Sequence, residues 1–228
     1  MFNALKNFFA SRTSTAPNPR MENEAMTTIL HIDSSILGGY SVSRALTADV
    51  VARQQQLHPG SRIIRRDLVV DAGLHLSDQH LAVFQGGEVT NQTLGQDLAV
   101  GGAYIDELFA SDIIVIGAPM YNFSIPSQLK GWIDRVCVAG RTFRYGPNGP
   151  EGLVTGKKAF IVSTRGGVYT GNSPAAAFEH QESYLRGVLG FIGITDVTIV
   201  RAEGLNLGEE AKSAAVAQAK QQIEALAA

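Results

Sequence analysis

SDIIVIGAPMYNFSIPSQLKG, residues 111–131, decides how the rest of the chain is read. Ile113, Ile114, Val115 and Ile116 form a short β-branched run with no polar alternation, closed by Gly117. Such a run is a strand buried on both faces. Pro119 has no amide hydrogen for a ladder, so the strand is expected to stop before it. Pro126 sits where a first-turn helical proline would, and Leu129, Trp132, Ile133 and Val136 follow at helical spacing. A buried strand, an aromatic loop and a helix thus succeed one another. In open α/β sheets, ligands bind at the loops leaving the carboxyl ends of strands. Met120, Tyr121 and Phe123 suit the wall of a flat ring, and the amides of Tyr121, Asn122 and Phe123 suit its heteroatoms. The plain alternative is a set of aromatics that cap the core.

The same unit recurs on either side. Residues 27–33 (TTILHID) read as a first strand, and 34–43 (SSILGGYSVS) as a loop rich in glycine and serine. Val42, Leu46, Val50 and Leu57 mark a helix that His58-Pro59-Gly60 stops. Hydroxyls between a strand and a helix N-terminus suit a phosphate, because free amides and the positive dipole end point at it. An ordinary cap by Ser41 or Ser43 explains the same residues. The loop is neither GxGxxG nor a P-loop, so no dinucleotide or ATP site follows. The arginine-bearing 62–68 (RIIRRDL) reads as an edge strand. Residues 69–91 resist assignment, with a short helix around 78–84. Leu98, Ile105 and Leu108 mark the helix before the central strand. Residues 140–150 read as a small hairpin, and 157–164 (KKAFIVST) as a fourth strand. Arg165-Gly166-Gly167 follow it, two glycines that permit positive φ and close approach of a ligand. Phe178, Leu185, Val188 and Leu189 mark a helix, 196–202 a fifth strand, and Val216, Ala219, Ile223 and Leu226 a last helix.

Five βα repeats imply a parallel sheet with helices on both faces. The expected fold is a flavodoxin-like doubly wound α/β sandwich, strand order 2-1-3-4-5, with the polar second strand at an edge.

At 228 residues with 45% hydrophobic and 18% charged content, the chain suits one globular core. A net charge of -2 gives no sign of nucleic acid or an anionic membrane as partner, and no apolar run reaches membrane-span length. The lone Cys137 makes no internal disulfide and fits a buried thiol in a reducing, cytoplasmic setting. Neither a metal-spaced His/Cys cluster nor GxSxG is present. The five histidines are scattered: His31 reads as a satisfied core residue, and the others as loop or helix-surface residues. Residues 1–26 carry Phe2, Phe8 and Phe9 among basic, Ser/Thr and Pro residues. They read as a disordered extension before a domain of residues 27–228, with a transit peptide as the alternative and Met26 as a plausible true start.

Three loops taken together, Ser35 with Ser41-Val42-Ser43, Met120-Tyr121-Asn122-Phe123, and Thr164-Arg165-Gly166-Gly167, resemble the FMN-dependent NADH-azoreductase family of flavodoxin-like quinone reductases. APMYNFSIPSQLK (118–130) is the most specific piece; TFRYGPNGPEGLVTGKK (142–158), STRGG (163–167) and LGFIGITDV (189–197) support it. The resemblance implies one non-covalent FMN per subunit, its phosphate on Ser35 and Ser41–Ser43. It puts the isoalloxazine along Met120–Phe123 and the pyrimidine end by Thr164–Gly167. Asp33, an acid near that phosphate, must then point away or be offset. The resemblance also implies a homodimer with the site at its interface. There Tyr145 and Phe191 reach the partner's flavin pocket, or simply pack at home. NADH gives hydride to flavin N5, and a quinone or azo compound then takes its place in ping-pong fashion, with no side-chain nucleophile or metal. The competing class is a non-enzymatic flavodoxin-type electron carrier or redox sensor, against which the weak charge argues.

Overall fold

The computed structural model describes residues 26–227, so the extension expected over 1–26 lies outside the described residues except for Met26. Five parallel strands form the sheet: β1 (Thr28–Asp33), β2 (Arg62–Asp67), β3 (Ile113–Pro119), β6 (Lys158–Thr164) and β7 (Asp196–Ala202). Their order is β2-β1-β3-β6-β7, which is 2-1-3-4-5 once a separate hairpin, β4 (Phe143–Gly146) with β5 (Gly149–Gly152), is set aside. Helices cover both faces: α1 (Val42–Leu57), α2 (Asp78–Phe84), α3 (Gln92–Ala110), α4 (Ser127–Val136), α5 (Glu182–Ile192) and α6 (Glu209–Glu224).

Every residue of β3 is buried, because it lies mid-sheet with a core on each side. On one face Ile114, Ile116 and Ala118 join Trp132, Ile133 and Leu185. On the other Ile113 and Val115 join Leu46, Val50 and Phe160. Each fully buried aliphatic side chain contributes about 1.5–3 kcal/mol. β2 pairs only with β1 and carries exposed or half-buried residues, as its arginines predict.

Several boundaries differ from expectation. β3 includes Pro119, which pairs with Thr164. Met120 N donates to Thr164 O on the β6 side, so the nitrogen of Pro119 faces β1. The pairing with β1 has already ended at Gly117, so no ladder bond is lost. Pro126 is the N-cap of α4, one residue before its first turn. Phe178 lies in a separate 3₁₀ turn ahead of α5, and Leu226 lies beyond α6. Cys137 is the C-cap of α4, where burial pushes its thiol up to about 11. That is an inert thiol.

Candidate functional site

Parallel pairing aligns the carboxyl ends of the strands. Asp33 stands beside Gly117, Pro119 beside Thr164, and Thr164 beside Ala202. The loops after β1, β3, β6 and β7 therefore converge on one edge. A cavity of about 260 Å³ opens there, lined among others by Ser35, Ser41, Tyr121, Thr164, Gly166 and Asn206. Met120 and Tyr121 are shared with a larger neighbouring cleft of about 1180 Å³, which runs past Asn122 and Gln128 to His180 and Tyr184.

The serine loop gathers hydrogen-bond donors at the N-terminus of α1. Ser41 caps α1 by accepting from the Arg44 amide at 3.3 Å, and its hydroxyl lies 3.0 Å from that of Ser43. The cap and the phosphate reading are therefore not rivals. The Val42 and Ser43 amides, in the first turn, find no acceptor among the described residues. They and the buried hydroxyls of Ser35, Ser41 and Ser43 form a donor set at a positive helix end. Ser35 Oγ lies 3.2 Å from the Tyr121 hydroxyl, joining the first loop to the aromatic one.

Asp33 has polar neighbours of its own. Thr47 Oγ1 donates to it at 2.9 Å, and Arg44 Nη1 lies 3.9 Å away. The main partner of Arg44 is Asp67, whose carboxyl is held below the usual range chiefly by the Arg44 hydrogen bond. His31 is buried but not satisfied. Nε2 lies 3.3 Å from Asp33 Oδ2 without hydrogen-bond geometry, and neither ring nitrogen has a hydrogen-bond partner among the described residues.

The aromatic loop departs from expectation in two ways. The Tyr121 amide is spent internally on Ser124 O at 2.9 Å, so it is not one of the free donors. The amides of Asn122 and Phe123 are, among the described residues, without an acceptor. Both residues have positive φ, 49° and 71°. A non-glycine residue in that region costs about 1–2 kcal/mol, least for Asn. The strained residues are the two whose amides lack an acceptor among the described residues, and such strain clusters at binding sites.

The third loop also differs. Neither Gly166 nor Gly167 has positive φ. Gly166 is small because a Cβ there would meet Asn206 Nδ2 at 2.4 Å. Arg165 does not present its charge to the cavity. Its side chain is sealed from solvent, with ion pairs to Glu182 at 2.7 Å, Glu203 at 2.9 Å and Glu179 at 3.0 Å. Burial pushes the Glu179 carboxyl up, but the amides of Glu182, Gln181 and Ser183 and the charge of Arg165 outweigh it and leave it below the usual range. Burial likewise opposes ionisation of Glu182, and Arg201 and Arg165 outweigh it.

Two residue sets were missed. The loop after β7 zips onto the third loop, Asn206 N donating to Gly166 O at 2.9 Å and Leu205 N to Arg165 O at 3.1 Å. The rule that ligands meet strand carboxyl ends applied equally to β7 and was the available signal. The segment Glu179–Glu182 had no such signal, since it lies outside any strand end. His80 is another correction: it is buried, its Nε2 2.9 Å from Asp97 Oδ2, and Arg135 joins the same carboxylate at 2.7 Å. Tyr145 stands 75% exposed on the hairpin, edge-on to Phe143, which packs on Phe191 at 4.5 Å. Among the described residues no cluster suits a metal, and no helix is long and apolar enough to cross a membrane.

Residues 27–227 match the model of a family described as flavodoxin-like fold. An FMN-dependent NADH:quinone oxidoreductase of Azospirillum brasilense is 52% identical over 201 residues, covering 87% of this chain and 97% of its own. One of the same description from Sinorhizobium fredii is 54% identical over 195 residues, covering 86% and 94%. Among solved structures, an azoreductase of Bacillus anthracis superposes with a TM-score of 0.77 at 28% identity, covering 88% of this chain and all of that one.

Proposed function

The chain belongs to this flavodoxin-like family, and we propose that it is an FMN-dependent NADH oxidoreductase that reduces quinones and reductively cleaves aromatic azo compounds. The observation that carries the reading is the donor set at the α1 N-terminus. Its hydroxyls and two unspent amides stand one loop away from a strained aromatic turn that offers two more amides. One terminal phosphate and one flat ring fill such a pair of subsites; a dinucleotide needs a second phosphate site, for which no motif exists in the chain. When bound, the flavin accepts hydride from NADH and passes electrons to the acceptor.

The chain's own residues hold and orient. Ser35, Ser41, Val42 and Ser43 take the phosphate. Met120–Phe123 flank the ring, with the Asn122 and Phe123 amides as donors to its edge. Thr164–Gly167 meet the pyrimidine end, with neither the Arg165 side chain nor its amide, which donates to Ala202 O at 2.9 Å, as the donor. The open cleft beyond Met120 and Tyr121 receives NADH and then the aromatic acceptor. The working unit is a homodimer with one FMN per subunit, in which exposed Tyr145, backed by Phe143 and Phe191, projects toward the partner's cleft. We assign the protein to the cytoplasm and the function to residues 27–228, with the segment before Met26 dispensable.

The test is direct. Flavin released by heat from the purified protein is expected to be FMN, and a chain starting at Met26 is expected to bind it equally well. FAD as the sole species would overturn the one-phosphate argument.

A further inference from the structure

We propose that Gln181 is a positioning residue for the flavin, acting as a strut that sets two of the flavin loops in register. The inference rests on the reading that those loops hold FMN. Gln181 is fully buried. Its Oε1 accepts from Ser163 Oγ at 3.1 Å and from Arg165 Nε at 2.9 Å, and its Nε2 donates to Ala118 O. One amide thus spans the last turns of β6 and β3, directly below Thr164–Gly167 and Met120–Phe123.

The residues around it complete a clasp. His180 N donates to Phe123 O at 3.1 Å, and Ser124 Oγ donates to His180 O at 3.3 Å. The segment therefore grips the strained turn by its backbone. Glu179 Oε1 accepts from the Gln181 and Glu182 amides at 2.8 and 2.7 Å and pairs with Arg165. Glu203 pairs with Arg165 and accepts from Tyr169 N and Thr170 Oγ1, fixing the continuation of the third loop. Glu182 also meets Arg201 at 2.6 Å. Three carboxylates face two guanidinium groups, so the cage carries about one net negative charge behind the site. Gln181 is the member that bonds both the end of β3 and the start of the third loop while carrying no charge. Its two ends are not interchangeable: the acceptor faces donors and the donor faces a carbonyl, so the orientation of the amide is determined.

A buried amide with all its groups paired is expensive to replace, because each former partner is left without one. The expected consequence is displacement of the free amides at Asn122 and Phe123 relative to Gly166, which the flavin reads directly. Gln181→Leu keeps the size and removes both roles. Gln181→Glu keeps the acceptor toward Ser163 and Arg165, loses the donor to Ala118, and adds a fourth carboxylate.

The experiment titrates apoprotein with FMN by fluorescence quenching, and records the bound flavin's absorption spectrum, its midpoint potential and the urea midpoint of the apoprotein. For Gln181→Leu we expect a dissociation constant at least tenfold higher and an altered spectrum. For Gln181→Glu we expect a smaller loss and a lower midpoint potential, because added negative charge disfavours the reduced, more anionic flavin. Should Gln181→Leu not fold, the potential and affinity of Gln181→Glu decide. A lower urea midpoint with affinity, spectrum and potential all unchanged would make Gln181 merely structural and overturn the proposal. Failure of the unaltered protein to bind FMN at all would instead sink the FMN reading, and the strut with it.

Discussion

Arg165 and Arg135 are both almost completely buried, at 1% and 2% exposure, yet they hold different parts of the molecule. Arg165 sits behind the site and ties three carboxylates to loops that end at the cavity. Arg135 shares Asp97 with His80 and donates to Leu74 O, while Asp97 accepts from Leu74 N at 2.6 Å. That second knot pins residues 74–80 onto α3 and α4. Gly101 makes room for it, since a Cβ there would press on the Arg135 stem at 3.1 Å. Burial is alike in the two regions, though Arg165 pairs with three carboxylates and Arg135 with one. What separates them is which backbone the arginine holds, and only one of those backbones borders the candidate site.

The largest expected effect comes from Arg165→Met. It leaves three carboxylates around an uncharged side chain, so stability should fall by about 3–5 kcal/mol, toward the top of that range. FMN affinity should fall at least tenfold in protein that remains folded. Urea unfolding and FMN titration measure the two effects separately. Arg135→Met is the contrasting case. One carboxylate loses its guanidinium but keeps His80 and the Leu74 amide, so the loss should be nearer ~3 kcal/mol, with FMN affinity within twofold of the unaltered protein. An equal loss of affinity in both variants would break the comparison.

Acid should sharpen it. Glu179 and Glu182 titrate below their ordinary value of 4.5 in the folded chain, and Asp97 below 3.8. A depressed folded pKa contributes stability above the unfolded value and loses it as pH falls through the folded one. The loss therefore sets in below 4.5 on the Arg165 side and only below 3.8 on the Arg135 side. Hydrogen exchange along an acid series should show the Gln181 and Glu182 amides, which donate to Glu179, losing protection at higher pH than Leu74. The smallest effect is Gly166→Ala. It needs no unusual φ, only that Asn206 move, so the cost should be about 1 kcal/mol. Asn206→Ala in the same chain should recover most of it; no recovery would mean that the loop after β7 is not what constrains Gly166.

The layout of the sheet was legible because strands buried on both faces are short, apolar and β-branched, as in β3 and β6. The position of β2 followed from its arginines. The serine loop and the aromatic loop were legible as well, since residue type and place at a strand end both pointed to them. What escaped was long-range. Nothing local says that Arg165 turns away from the cavity toward Glu179, Glu182 and Glu203, which lie 14 to 38 residues further on. Gln181 gives no signal either, for its three partners are Ala118 in β3, Ser163 in β6 and Arg165 just after β6. His80 appeared to be a surface residue because the stretch around it lacks a period, and its burial depends on Asp97 and Arg135 from other helices. Gly166 and Gly167 permit positive φ but do not adopt it; Asn122 and Phe123 do, where turn geometry overrides residue preference.

The most direct measurement is anaerobic addition of NADH to FMN-reconstituted protein, followed by a benzoquinone and, in a parallel sample, an azo dye. The account predicts bleaching of the flavin band by one equivalent of NADH per bound FMN, full return of colour on adding the quinone, and, with two NADH supplied per azo bond to deliver the four electrons its cleavage needs, release of aromatic amines from the dye. Binding of FMN without bleaching by NADH would contradict it and leave a flavodoxin-type carrier; absence of FMN binding would contradict the site itself.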